Sequence, residues 1–136
     1  MKDPVITDSD LYRVVFENDR VRVLEYRDAP GDSTHLHSHP DSVMVTLSSF
    51  SRVISDGTVE VPVQLDAATV RWLDAQQHQG RNVGTTPTHA IFVELKEQAV
   101  RAPDPSVHPL GPAPRPLIGI PLSDASSDEE KAWGFA

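Results

Sequence analysis

Apolar and polar positions alternate in short runs through the first hundred residues of this chain, with turn-forming residues between them. Leu11 to Phe16 and Val21 to Tyr26 are β-rich runs on either side of the polar turn Glu17-Asn18-Asp19-Arg20. Val43 to Ile54 is a second β-rich stretch, ending at Ser55-Asp56-Gly57. Asp-Gly ahead of the alternating Thr58-Val59-Glu60-Val61-Pro62-Val63 predicts a hairpin. Thr69 to Leu73 and Ile91 to Leu95 complete the set. No window sustains a 3.6-residue apolar period long enough for a substantial helix. Short strands separated by frequent turns predict an all-β sandwich or barrel.

The pattern changes after residue 100. Seven of the 12 prolines lie between Arg101 and Ala136, and proline lacks the N–H that a sheet ladder needs. Residues 1–100 are therefore read as the folded unit and 101–136 as an extended, proline-rich segment. That segment carries Leu117, Ile118, Ile120, Leu122, Trp133 and Phe135. Such residues are uncommon in a purely solvated tail, so it is expected to pack on the barrel or on a partner subunit.

Composition narrows the chemistry. With 136 residues the chain has room for one domain plus a tail, at about 100–200 residues per domain. It contains no cysteine, which excludes disulfide frameworks, thiolate metal sites and thiol nucleophiles. Twenty acidic residues against 12 basic ones give a formal charge of −8, the wrong sign for a nucleic-acid surface. No apolar run approaches the roughly 18 residues needed to span a bilayer. The start, MKDPVITDSDLYRVVF, has neither the basic nor the apolar region of a signal peptide. A soluble, cytoplasmic, single-domain protein with a small-molecule partner is expected, with neither nucleic acid nor membrane as a partner.

Three of the six histidines fall within five residues, His35-Leu36-His37-Ser38-His39. On a strand these three would share one face, since side chains alternate. Burying three unpaired imidazoles would cost several kcal/mol, because each neutral ring has a donor and an acceptor to satisfy. A solvated histidine strip is the plain alternative; metal ligation by neutral imidazole is the favoured one. His78, in Gln77-His78-Gln79-Gly80-Arg81-Asn82, is a further candidate ligand.

Gly31, followed after five residues by His37-x-His39, and His78-x3-Asn82 about forty residues later resemble the two motifs of the small single-domain cupins, the RmlC-like jelly-roll family. The resemblance spans roughly residues 12–97. It implies a jelly-roll β-barrel with the metal inside, and commonly a homodimer. It also implies a metal-ligand set of His37, His39 and His78. The family's motif 1 glutamate would fall at position 43 or 44, where this chain has Val43 and Met44. In motif 2, Ala67, Leu73 and Ala75 replace the family's glycines and proline. The implied site is thus a three-histidine variant without the carboxylate, similar to the three-histidine cupin dioxygenases.

Three neutral ligands leave the full charge of a divalent ion in place, so bound water is acidified and bound anions are held firmly. One divalent transition metal per chain is expected. Fe(II) is favoured by the resemblance, with Zn, Ni, Mn and Cu as alternatives, because imidazole serves them all. His35 is read either as an acid–base group beside the ligands or as an alternative ligand. On the strand at 91–95, His89 shares parity with Ile91, Val93 and Leu95, and Glu94 shares parity with Phe92. Whichever face points inward supplies a further acid–base candidate, so His35, Glu94 and His89 are the candidate catalytic residues. Gln76 is read as a polar contact of the pocket. Arg71 and Arg81 are candidates for holding a substrate carboxylate, with exposed ion pairs the simpler role. His108 is read as structural or solvated.

Three functions compete. One is an iron-type dioxygenase acting on a small oxygenated substrate. The second is a non-redox metal-dependent isomerase, cyclase or lyase. The third is a non-catalytic small-molecule-binding barrel.

Overall fold

A computed structural model of the chain describes residues 2–97 and 110–113. Among these, one short helix precedes nine strands. The helix, α1 (Pro4–Thr7), is started by Asp3, whose carboxylate accepts the Val5 N–H at 3.0 Å. The strands are β1 (Tyr12–Glu17), β2 (Val21–Asp28), β3 (His37–His39), β4 (Ser42–Thr46), β5 (Phe50–Ser55), β6 (Glu60–Leu65), β7 (Val70–Leu73), β8 (Gln76–Asn82) and β9 (Thr88–Leu95). They form a five-stranded sheet in the order β1-β2-β9-β4-β7 and a four-stranded sheet in the order β3-β8-β5-β6. All strand pairings are antiparallel. The two sheets make an all-β jelly-roll barrel.

Period-two burial shows which residues point inward. In β9, Thr88, Ala90, Phe92 and Glu94 are buried and alternate with half-buried neighbours. In β4 the inward set is Ser42, Met44 and Thr46, and in β5 it is Phe50, Arg52 and Ile54. Tyr12, Leu24, Tyr26, Met44, Leu73, Ala90 and Phe92 form the apolar core. Polar inward residues flank this core: Ser42 and Thr46 on either side of Met44 in β4, and Thr88 and Glu94 on either side of Ala90 and Phe92 in β9.

Two expected elements differ in extent. The stretch from Val43 to Ile54 is two strands, broken at Leu47-Ser48-Ser49, where the chain leaves the five-stranded sheet for the four-stranded one. Ser48 holds this crossing: its hydroxyl donates to the Pro87 carbonyl at 2.9 Å and accepts the His89 N–H at 2.8 Å. The expected hairpin is present, with Gly57 at φ +98°. Its loop runs to Val59, because Asp56 Oδ1 accepts the N–H groups of both Thr58 and Val59 at 2.8 Å. Pro62 costs no ladder bond, since β6 is an edge strand.

Of the proline-rich segment assigned to 101–136, only Leu110–Ala113 fall among the described residues, and His108 lies outside them. Ala113 is buried, and its N–H donates to the Trp72 carbonyl at 2.8 Å. Among the described residues no helix is long and apolar enough to cross a membrane.

Candidate metal centre

His37 and His39 stand on the same face of β3, as strand alternation requires. Antiparallel pairing with β8 sets His78 directly opposite His37. The three ring centroids are 4.8 to 5.0 Å apart, and one nitrogen of each ring lies within 4.8 Å of the others. The residues are only 1%, 2% and 6% exposed.

The outward nitrogens define the tautomers. Nδ1 of His37 meets the His35 carbonyl at 2.7 Å, Nδ1 of His39 meets Glu94 Oε2 at 3.2 Å, and Nδ1 of His78 meets Gln76 Oε1 at 2.7 Å. Gln76 Oε1 also accepts the Gly111 N–H, which identifies it as the amide oxygen. All three partners are acceptors, so each Nδ1 carries its proton and each Nε2 presents a lone pair inward. The Nε2 atoms of His37 and His39 stand 3.1 Å apart. Two lone pairs at that distance repel unless a cation or a proton lies between them. Desolvation, the largest influence on each ring, holds the pKa of all three histidines below the usual value and so disfavours the proton. The donor set therefore fits a metal ion, with each ligand oriented by an oxygen behind it.

The oxygen behind His39 belongs to a buried chain. Glu94 pairs through Oε1 with Arg22 Nη2 at 2.8 Å, and Arg22 Nη1 pairs with Asp3 at 2.7 Å. Burial nevertheless pushes the Glu94 carboxyl above its ordinary pKa. Phe92 stacks on His39, with centroids 5.1 Å apart and planes 19° from parallel. On the inward side lies the hydroxyl of Tyr12, 3.5 Å from Nε2 of His37 and 3.4 Å from Nε2 of His39. A cavity with about 50 Å³ of water-accessible space adjoins the centre, lined by Tyr12, His37, His78, Met44, Arg52 and Phe92 among others. At about 10–15 Å³ per water, that space holds a few waters or the reacting end of a small ligand.

Solved structures with the same architecture include cupins. A cupin domain from Bordetella pertussis Tohama I superposes with a TM-score of 0.60 at 26% identity, over 64% of this chain and 93% of that one. An RmlC-like cupin with a double-stranded β-helix fold from Methanocaldococcus jannaschii superposes at 0.51 with 8% identity, over 62% and 78%. A double-stranded β-helix protein from Klebsiella pneumoniae superposes at 0.50 with 20% identity, over 62% and 75%. The fold is that of a cupin barrel. No protein-family model matches the chain, and no curated protein matches it.

Within the cupin barrel the candidate residues separate. His37, His39 and His78 come together. His35 does not share their face, contrary to the strand expectation, because β3 begins only at His37. Asp8 accepts the His35 backbone N–H at 3.0 Å and meets its Nδ1 at 2.9 Å, which leaves the ring 80% exposed. What residue 35 offers the centre is its carbonyl. His89 points outward and meets Glu25 at 2.7 Å, beside Arg13 and Arg27. Glu94 is the inward member of that strand, and it stands behind His39. Gln76 orients His78. Arg81 is exposed, and Arg71 bonds the neighbouring Val70 carbonyl. At the position of the cupin glutamate, Met44 points inward and lines the cavity, while Val43 is only half-buried.

Two residues of the site carried no sequence signal. Tyr12 lies within the run Leu11 to Phe16 and Arg52 within Val43 to Ile54, and nothing local singles out either. Both reach the cavity because β1 and β5 present them on inward faces, and that depends on which strands pair.

Proposed function

We propose that this cupin barrel holds one divalent transition metal per chain on His37, His39 and His78 and is an iron-type dioxygenase acting on a small oxygenated substrate. The observation that carries the metal is the set of three inward Nε2 lone pairs, each fixed by a proton-accepting oxygen at Nδ1. Iron bound there would supply electrons and free coordination positions for a chelating substrate and dioxygen.

The chain's own residues have definable tasks. The His35 carbonyl, Glu94 and Gln76 keep the rings aimed inward. Met44, Phe50, Leu73 and Phe92 line the cavity with apolar surface. Arg52 adds a guanidinium to the same wall. Redox chemistry is favoured over base-driven isomerisation by the state of the buried carboxylates. Glu94 is engaged by His39 and Arg22, Asp28 by Arg52 and Tyr26, and Asp8 by His35. A homodimer belongs to the same proposal; exposed Val14, Val15 and Phe16 on the edge strand β1 supply apolar surface for it.

Metal analysis of protein purified without a histidine tag tests the reading. About one iron per chain, with oxygen uptake on adding a β-diketone or a catechol-like compound, is the expected result. Zinc, with turnover independent of oxygen, would replace it with a Lewis-acid isomerase or lyase. Stoichiometry near zero in folded protein would overturn the metal centre itself.

A further inference from the structure

Accepting the three-histidine metal centre, we infer that Tyr12 is its fourth protein ligand, a phenolate that replaces the carboxylate missing from this cupin barrel. The inference begins with distances. Neighbouring ligands about 2.0–2.2 Å from one ion stand about 2.8–3.6 Å from one another, the lower end for an octahedral ion and the upper for a tetrahedral one. The Tyr12 oxygen is 3.4 and 3.5 Å from two of the Nε2 atoms, and those two atoms are 3.1 Å apart. These three separations lie within that range, as for three neighbouring ligands of one ion that keeps other positions open. They are long for ordinary hydrogen bonds to a hydroxyl, which centre near 2.7–2.9 Å.

The hydroxyl has no competing duty. Among the described residues its hydrogen-bond partners are these two nitrogens alone. A buried phenol ordinarily finds one good partner; this one is shared between two atoms that both face the ion's position. Its placement is rigid as well. The Tyr12 ring packs against Tyr26 at 4.6 Å, His37 at 5.4 Å and Phe92 at 6.1 Å. The Tyr12 backbone N–H is tied to the Asp8 carbonyl at 2.9 Å, and the Asp8 carboxylate in turn holds the backbone of His35 at the mouth of β3. The strand that carries the phenol and the strand that carries two histidines are thus clamped by one residue.

Charge points the same way. Met44 occupies the inward position of the cupin glutamate and brings no anion. Three neutral imidazoles would leave a buried divalent ion with no anion in contact: Glu94 stands behind His39 and is paired with Arg22, and Asp8, 3.9 Å from His37 Nδ1, is engaged by His35. On coordination the Tyr12 O–H bond breaks, an oxygen–metal bond forms and the proton leaves to solvent. The centre then carries one net positive charge in place of two, as a glutamate would have left it.

The chain has only two tyrosines, and the hydroxyl of Tyr26 is held by Asp28 and Arg52. A tyrosinate signal on a bound metal therefore reports Tyr12. The experiment loads untagged full-length protein with Fe(II) without oxygen, then admits air to form Fe(III). Expected is a visible phenolate-to-iron charge-transfer band, with tyrosinate vibrations enhanced on excitation within it. Tyr12→Phe should retain the β-sheet circular dichroism, lose the band and bind iron at least about tenfold more weakly. Wild-type protein that binds one iron per chain and shows no such band overturns the ligand assignment while leaving the histidine centre intact, and that reading needs no variant. A band that survives in Tyr12→Phe overturns it equally. Failure of the wild type to bind iron at all removes the iron centre and overturns the inference with it.

Discussion

Two buried polar clusters occupy this barrel, joined through the packed rings of Tyr12 and Tyr26, and they are built on opposite principles. The first is centred on Asp28 at the end of β2. Its Oδ2 accepts from the Tyr26 hydroxyl at 2.5 Å and from Arg52 Nη1, and its Oδ1 accepts from Asn82 Nδ2 and the Thr88 N–H, both at 3.0 Å. Arg52 also reaches Thr88 Oγ1 and the Tyr26 hydroxyl at 3.1 Å. Donors meet acceptors and the two charges cancel. Asn82, which matches the asparagine of the second cupin motif, belongs to this closed cluster. The second is the histidine centre, where three acceptors and a phenol face one point with no donor cation among them. A closed cluster explains itself as structure. An open one has valence left over, and that valence is what a guest ion fills.

The largest expected effect breaks the closed cluster. Arg52→Leu leaves the Asp28 carboxylate buried without its cation and should cost about 3–5 kcal/mol in urea unfolding. The double variant Asp28→Asn with Arg52→Leu should cost less than the single one, since no bare charge remains. If it costs as much or more, charge pairing is not what holds this cluster.

Next comes the open cluster, which should respond to metal where the closed one does not. Metal at a hundred times its dissociation constant should stabilise the wild type by about 2.7 kcal/mol. In His78→Ala that gain should vanish in the same titration. An equal gain in the variant would place the ion elsewhere.

A smaller effect is expected behind the ligands. Glu94→Gln removes the charge that orients His39 and pairs with Arg22, and should weaken metal binding about ten- to hundredfold in competition with a chelator. Affinity within a factor of two of the wild type would show that Glu94 serves Arg22 alone.

The smallest belongs to the outer face. His89→Ala removes a partly exposed pair with Glu25, at a cost of about 1 kcal/mol or less, and should leave metal affinity unchanged. A loss of metal on this substitution would contradict the separation of the two faces of β9.

Much of the barrel was legible in the residues. The polar turn at residues 17–20, the Asp56-Gly57 hairpin and the run at 91–95 are local signals, carried by alternation and turn chemistry that each segment holds by itself. His37-x-His39 was legible for the same reason: two residues apart on a strand means one face. His35 was misread by that rule, because strand membership ends where Asp8 captures the backbone, and Asp8 is 27 positions away.

The sequence by itself determined the strand class, the main turns, a cysteine-free donor set and the histidine spacing, all properties of neighbours along the chain. Tertiary structure alone decided that Glu94 rather than His89 points inward, that Val43 to Ile54 divides between two sheets, and that Tyr12 reaches the histidines. Alternation states that two faces exist, but only the pairing of strands distant in sequence states which face meets the core. In this barrel the pairing of β1 with β2 and of β3 with β8 is what turns a tyrosine and three histidines into one centre.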